Sequence, residues 1–233
     1  MPTIGFATIA ESPRDDVVPH IRARLPPDVR VAERGCLDGL TPDEIAALGP
    51  GAEEVGIVAR LRAGGETLLS HAALLPLMQR VVDELVVRDA ADLVVILCGA
   101  DWSEIRARPL VVNPGLLFPA MIAAIAHGRK LGIVKPSAGQ VAGERERYRA
   151  RGIEAVVTSA SPYAGEERVR LASRAARELR DADVDLVWMT CIGMDAAMRD
   201  AVAEVTQTPV LLAHALLAGI VSELVPHPNA ALV

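Results

Sequence analysis

Two cysteines close matching segments of the chain. Asp92-Leu-Val-Val-Ile-Leu-Cys98-Gly99 and Asp185-Leu-Val-Trp-Met-Thr-Cys191-Ile-Gly193 both open on Asp-Leu-Val, run through mostly apolar residues and end in Cys with Gly close behind. A thiol and a thiolate on opposite sides of one small molecule form a general acid and a general base. Such a pair can take a proton from one face of a carbon and return one to the other. The chemistry asks for no metal and no organic cofactor, and none is expected. Each cysteine is expected at a strand end just ahead of a helix N-terminus, where free N–H groups and the helix dipole favour the thiolate. Gly99 and Gly193, with their neighbours Ala100 and Ile192, let the backbone approach a ligand without a Cβ in the way. Their N–H groups are candidates to cradle a carboxylate or an enolate oxygen. The competing assignment for any single cysteine is a small buried hydrophobe. Placement at repeat-related positions weighs against it for Cys98 and Cys191. Cys36 has no counterpart and takes that assignment.

The flanks of the two segments match as well. Thr3-Ile-Gly-Phe-Ala7 and Lys130-Leu-Gly-Ile-Val134 lie before them, and Arg108-Pro109 and Thr208-Pro209 open apolar runs after them. An internal repeat of this kind decides architecture before local propensity does. At the end of the first strand of each half stand further polar candidates, Ser12 and Arg14 in one and Lys135 and Ser137 in the other. Ser12 reads as an N-cap with Pro13 at the first helical position, which puts Arg14 in the first turn. The dipole disfavours a cation there, so a role in clamping a ligand carboxylate is expected, with removal of Arg14 leaving stability almost unchanged. The alternative is a salt bridge to Asp15 or a neighbouring Glu. His214, Asp101 and Asp195 also follow strand ends, but packing or capping is the expected role of His214 and the helix start that of the two acids.

The elements that would hold these residues alternate. Strands are expected over 3–8, 29–37, 110–112, 130–135, 154–158, 185–190 and 209–213, with one more ending at Cys98. Helices are expected from Ser12, from Thr41, and over 71–88, 116–127, 140–151, 165–181, 194–204 and 214–224, followed by a tail. Residues 54–70 depart from the repeat and read as an inserted β-hairpin turning at Gly64-Gly65. The fold class is therefore α/β: two pseudo-symmetric lobes with mainly parallel sheets facing across a cleft, plus the hairpin in the first half. The first lobe takes residues 1–113 and is completed by the C-terminal helix within 214–233, and the second takes 114–213. Ligands of open α/β sheets bind beyond the carboxyl ends of the strands, where both cysteines sit.

Composition narrows the function. Hydrophobic residues make up 51% of the 233, yet aromatics only 3%, so the core must be aliphatic, as suits parallel strands covered on both faces. A formal charge of −6 carries no nucleic-acid footprint. The stretch Glu144–Arg151 alternates acids and bases and reads as a solvated helix face. Three cysteines do not make a disulfide framework. The chain opens on a strand-like segment with no secretory pattern, and no apolar run is long enough to span a bilayer, so a cytoplasmic protein with no membrane partner is expected. Walker A, Gly-x-Gly-x-x-Gly, Gly-x-Ser-x-Gly, His-Glu-x-x-His and Cys-x-x-Cys patterns are all absent.

Thr3-Ile-Gly5, Ser12-Pro-Arg-Asp-Asp16, Leu97-Cys-Gly99 and Asn113-Pro-Gly-Leu-Leu-Phe-Pro119 resemble AroM-family proteins over nearly the whole chain, hairpin included. That family is similar in turn to the aspartate/glutamate racemase superfamily, and Cys191-Ile-Gly-Met194 is similar to the second cysteine motif of hydantoin racemases. The resemblance implies two facing α/β lobes with both cysteines in the cleft, and racemisation or isomerisation of a small carboxylate or cyclic amide without cofactor. It departs where racemases carry Asn-Thr after the first Cys, here Gly99-Ala100, and where glutamate racemases carry Thr-His after the second, here Ile192-Gly193. The leading reading makes Cys98 and Cys191 the two proton-transfer groups, with Ser12, Arg14, Lys135 and Ser137 on the carboxylate. Two alternatives stay open: a single-cysteine decarboxylase or isomerase using Cys191, and a non-catalytic small-ligand binding protein on the same scaffold. A homodimer is also considered.

Overall fold

A computed structural model describes residues 1–225. The expected tail, residues 226–233, lies outside them. The repeat is visible strand by strand. In the first half β1 (Thr3–Thr8), β2 (Arg30–Gly35), β5 (Leu93–Ile96) and β6 (Leu110–Val112) form a parallel sheet in the order β2-β1-β5-β6. In the second, β7 (Leu131–Lys135), β8 (Ala155–Ser159), β9 (Leu186–Met189) and β10 (Val210–Leu212) form a parallel sheet in the equivalent order β8-β7-β9-β10. The Asp that opens each Asp-Leu-Val run has the same job in both halves. Asp92 accepts from the Thr3 N–H and Asp185 from the Lys130 N–H, each at 2.8 Å, and so pins the cysteine strand to the first strand of its own sheet.

Alternation along the buried strands divides the core. Leu93, Val95 and Leu97, with Leu186 and Trp188, face an apolar cluster shared by both halves, which also takes in α1 (Val18–Arg22), α4 (Pro114–Ile125), α5 (Val141–Arg149) and α8 (Ala213–Leu224). Val94, Ile96 and Cys98 face a second cluster under α3 (His71–Val87). Val187 and Met189 face a third under α6 (Arg168–Asp181) and α7 (Ala196–Thr206). The period of two in the strands puts each helix layer on its own face. The C-terminal helix α8 packs against α1 of the first half.

The insertion is a hairpin as expected. β3 (Ile57–Arg60) and β4 (Glu66–Leu69) pair antiparallel, and Gly64 and Gly65 both turn with positive φ. It reaches the second half: Gln140 Nε2 donates to the Gly56 carbonyl at 3.1 Å, and the Ser161 hydroxyl bonds Glu66. α2 (Pro42–Ala47) starts with the capping box of Thr41 and Glu44 that its sequence announces.

The expected helix at Ser12 does not form. The first helix begins only at Val18 and has no side-chain cap. Ser12 is diverted by a tertiary partner: its N–H and hydroxyl both go to Asp38, at 2.7 and 2.6 Å. A side chain committed to Asp38 cannot cap a helix. The Ser12–Pro13 peptide is cis. The stretch Glu144–Arg151 is not a uniformly solvated face either, because Glu144 and Tyr148 are buried.

Candidate active site

A cavity of about 320 Å³ opens where the carboxyl ends of both central strand pairs meet. Eight of the ten residues singled out from sequence line it: Arg14, Cys98, Gly99, Ala100, Lys135, Cys191, Ile192 and Gly193. Ser12 and Ser137 do not. Ser12 is held by Asp38, and Ser137 precedes the 3-10 turn Ala138–Gln140 without capping it. Cys36 is buried in the cluster under α3, away from the cavity, and burial pushes its thiol well up. His214 is buried with Nδ1 on the Met194 carbonyl, and Asp195 caps α7 while pairing with Arg168.

Cys98 is held by a backbone N–H two residues on: the Ala100 N–H donates to its Sγ at 3.4 Å. The helix N-termini expected directly after the two cysteines are not formed. No helix follows Cys98 until α4, beyond β6, and α7 begins five residues after Cys191, at Ala196. Burial raises both thiols above the ordinary range. For Cys191 that rise is opposed by the Gly193 N–H, the charges of Arg14 and Lys135, and the Tyr163 hydroxyl. For Cys98 it is opposed by the Ala100 N–H, the Trp102 indole and Lys135, while Cys191 adds a repulsive contribution. Ionising one thiol therefore disfavours ionising the other, as an acid–base pair requires. Cys191 is partly open to the cavity, whereas Cys98 is only 6% exposed.

Arg14 departs most from expectation. It precedes the helix and turns inward, 3% exposed. Its guanidinium grips Asp16 with Nε and Nη2, both at 2.8 Å, reaches Thr8 Oγ1 at 3.0 Å and Tyr163 Oη at 3.3 Å. A salt bridge does occupy it, but to Asp16 rather than to Asp15 or a Glu, the partners expected from sequence. Arg60 joins the same carboxylate at 3.4 Å. Arg14 thus lends the cavity a fixed positive charge and ties the first half to Tyr163 in the second.

Sequence reasoning missed Tyr163, Glu144, Arg147 and the hairpin wall. Glu144 is 6% exposed and lies 3.4 Å from Lys135 Nζ and 3.6 Å from Arg147 Nη1. Two cations around one carboxylate leave the cavity positive within a chain of net charge −6. Val55, Ile57 and Val58 of the inserted segment add apolar lining to the cavity. Tyr163 follows the carboxyl end of β8, a position that signals a ligand site in open α/β sheets, and is one of only two tyrosines in the chain. Among the described residues no cluster of three or more His, Cys, Asp or Glu is arranged to hold a metal, and no helix is long and apolar enough to cross a membrane.

The architecture is that of the racemase-type α/β proteins. Allantoin racemase from Pseudomonas fluorescens superposes with a TM-score of 0.56 at 18% identity, covering 95% of this chain and 90% of its own. Glutamate racemase from Francisella tularensis in complex with D-glutamate gives 0.61 at 11% identity, over 96% of this chain and 80% of its own. Arylmalonate decarboxylase gives 0.55 at 16% identity, over 98% and 94%. No curated protein sequence matches. The family model described as "AroM protein" matches residues 4–225, and the chain belongs to the AroM family.

Proposed function

We propose that the protein is a cofactor-independent racemase or epimerase that moves the α-proton of a small carboxylate or cyclic amide. The reading is carried by one observation: the two cysteines of the repeat open into a single positively charged cavity of about 320 Å³. In this reading a thiolate on Cys191 removes the proton, and the neutral thiol of Cys98 returns one to the opposite face. Lys135 and Arg147, shared by Glu144, hold the carboxylate and the negative charge that develops as the proton leaves. Arg14 is saturated by protein partners and acts as a fixed charge near Cys191. The racemase and decarboxylase folds named above support the reaction class by fold alone.

The deep burial of Cys98 favours a second reading, in which Cys191 alone serves as proton donor in a decarboxylation or isomerisation. The experiment is to incubate a panel of chiral carboxylates and cyclic amides in D2O with the wild type, Cys98→Ser and Cys191→Ser, following α-deuteration and optical rotation. Loss of racemisation in both variants supports the first reading. Full turnover by Cys98→Ser supports the second.

A further inference from the structure

The residues that directly follow the two thiols carry no polar side chain. Gly99-Ala100 and Ile192-Gly193 offer only backbone. Polar side chains near the sulfurs are supplied by other residues. At Cys191 the neighbour is Tyr163, which lines the same cavity. A Cβ placed on residue 193 would lie 2.3 Å from Tyr163 Oη and 2.8 Å from its Cζ, so only glycine leaves room for the ring. The hydroxyl is further fixed by Arg14 Nη2 at 3.3 Å, and Arg14 by its double bond to Asp16. A chain of partners, Asp16 to Arg14 to Tyr163, therefore ends against Gly193, two residues from Cys191.

At Cys98 the corresponding group is Trp102. Its ring is 1% exposed, and its indole N–H is buried with no hydrogen-bond acceptor. Native proteins rarely leave such a donor unmatched, because the lost solvation is not recovered. Trp102 shares its buried cluster with Cys98, and the indole favours ionisation of that thiol, whose sulfur is a weak acceptor when protonated and a strong one as a thiolate. The orphaned donor is thus matched to one protonation state of its neighbour. The ring is braced by His71, with centroids 4.6 Å apart.

We propose that Tyr163 and Trp102 are positioning residues that stabilise the two cleft thiolates by hydrogen bonding, Tyr163 at Cys191 and Trp102 at Cys98. The proposal rests on the two-cysteine reading but concerns the thiols themselves, and its test needs no substrate. Cys191 has the better surroundings, with a donor already oriented by Arg14 and two cations nearby. Cys98 has one cation and a donor that finds its partner only after ionisation. The resting enzyme accordingly holds Cys191 as the readier base and Cys98 as the acid. The burden on Trp102 falls when Cys98 gives up its proton.

The test is the rate of alkylation of each cysteine of the folded protein by iodoacetamide across pH, read after quenching by peptide mapping with mass spectrometry. In Tyr163→Phe the midpoint for Cys191 should rise by about one pH unit, the shift expected for loss of one hydrogen bond to an anion. The midpoint for Cys98 should stay in place. Trp102→Phe should do the reverse. Gly193→Ala, which displaces the hydroxyl without removing it, should reproduce the Tyr163→Phe shift at Cys191, and it decides the matter if Tyr163→Phe does not fold. Unmoved midpoints in folded variants would overturn the proposal while leaving the two-cysteine reaction to its own test. Loss of racemisation in both serine variants alongside unmoved midpoints would mean that the thiols act without these donors.

Discussion

Replacing Arg14 by alanine tests how the cavity floor is built. The guanidinium makes four contacts, two of them to one carboxylate, from a position 3% exposed. Breaking a buried ion pair by removing one partner costs about 3–5 kcal/mol, because the other charge is left behind. Asp16 softens that cost, since it is 24% exposed and keeps Arg60 at 3.4 Å. The lower end, about 3 kcal/mol, is therefore expected. For a chain of this size that corresponds to a fall in Tm of about 6–12 °C. Burial alone would push the Asp16 carboxyl up, but its hydrogen bonds and charge pairing with Arg14, together with Arg60, outweigh this and hold it below the usual range. A group with a depressed folded pKa contributes its full stabilisation above its unfolded value, about 3.9, and loses it as pH falls through the folded value. The deficit of Arg14→Ala should thus be full at pH 7 and shrink below about pH 4. Thermal melts at both pH values, with Asp16→Asn and the double variant, supply the cycle, and the double variant should lose little more than Arg14→Ala. A single variant melting within about 2 °C of wild type at pH 7 would refute the reasoning, and would return Arg14 to the role of a spare cation facing ligand.

Two further outcomes follow from the same geometry. Gly115→Ala should destabilise the protein by about 3 kcal/mol or more in urea unfolding, since its Cβ would lie 1.8 Å from the Ala100 carbonyl oxygen, backbone that cannot step aside. A change of under about 0.5 kcal/mol would mean that the loop carrying Cys98 relaxes freely. In the wild type, iodoacetamide should modify Cys191 first, Cys98 more slowly and Cys36 last, because burial raises all three thiols and the opposing contacts weaken in that order. Peptide mapping with Cys36 labelled first would contradict the electrostatic ordering.

The repeat made the fold legible. Asp92 and Asp185 open their segments identically because each pins its strand through the same backbone bond, so one physical constraint wrote the same residues twice. The hairpin was legible from Gly64-Gly65, a local signal for a local turn. What failed was local reading of residues with distant partners. Ser12 satisfies every local rule for an N-cap, yet Asp38 claims its side chain from the loop after β2. Arg14 then loses the helix that its assignment presumed. Glu144 sits in a run of alternating charges and still turns inward, because Lys135 and Arg147 meet it there. Tyr163 stands 28 residues before the cysteine it serves, and only the fold brings them together.

Solvent-deuterium labelling is the most direct test of the two-cysteine reaction. A single enantiomer of a turned-over substrate is incubated in D2O, and both enantiomers are recovered on a chiral column and weighed by mass spectrometry. Two thiols serving opposite faces should place one deuterium at the α-carbon of the newly formed enantiomer from the first turnovers, and of the recovered starting enantiomer as the reaction reverses. Cys98→Ser and Cys191→Ser should each stop interconversion. Label confined to one product with Cys98→Ser still fully active would contradict the account and leave Cys191 as the sole proton-transfer group.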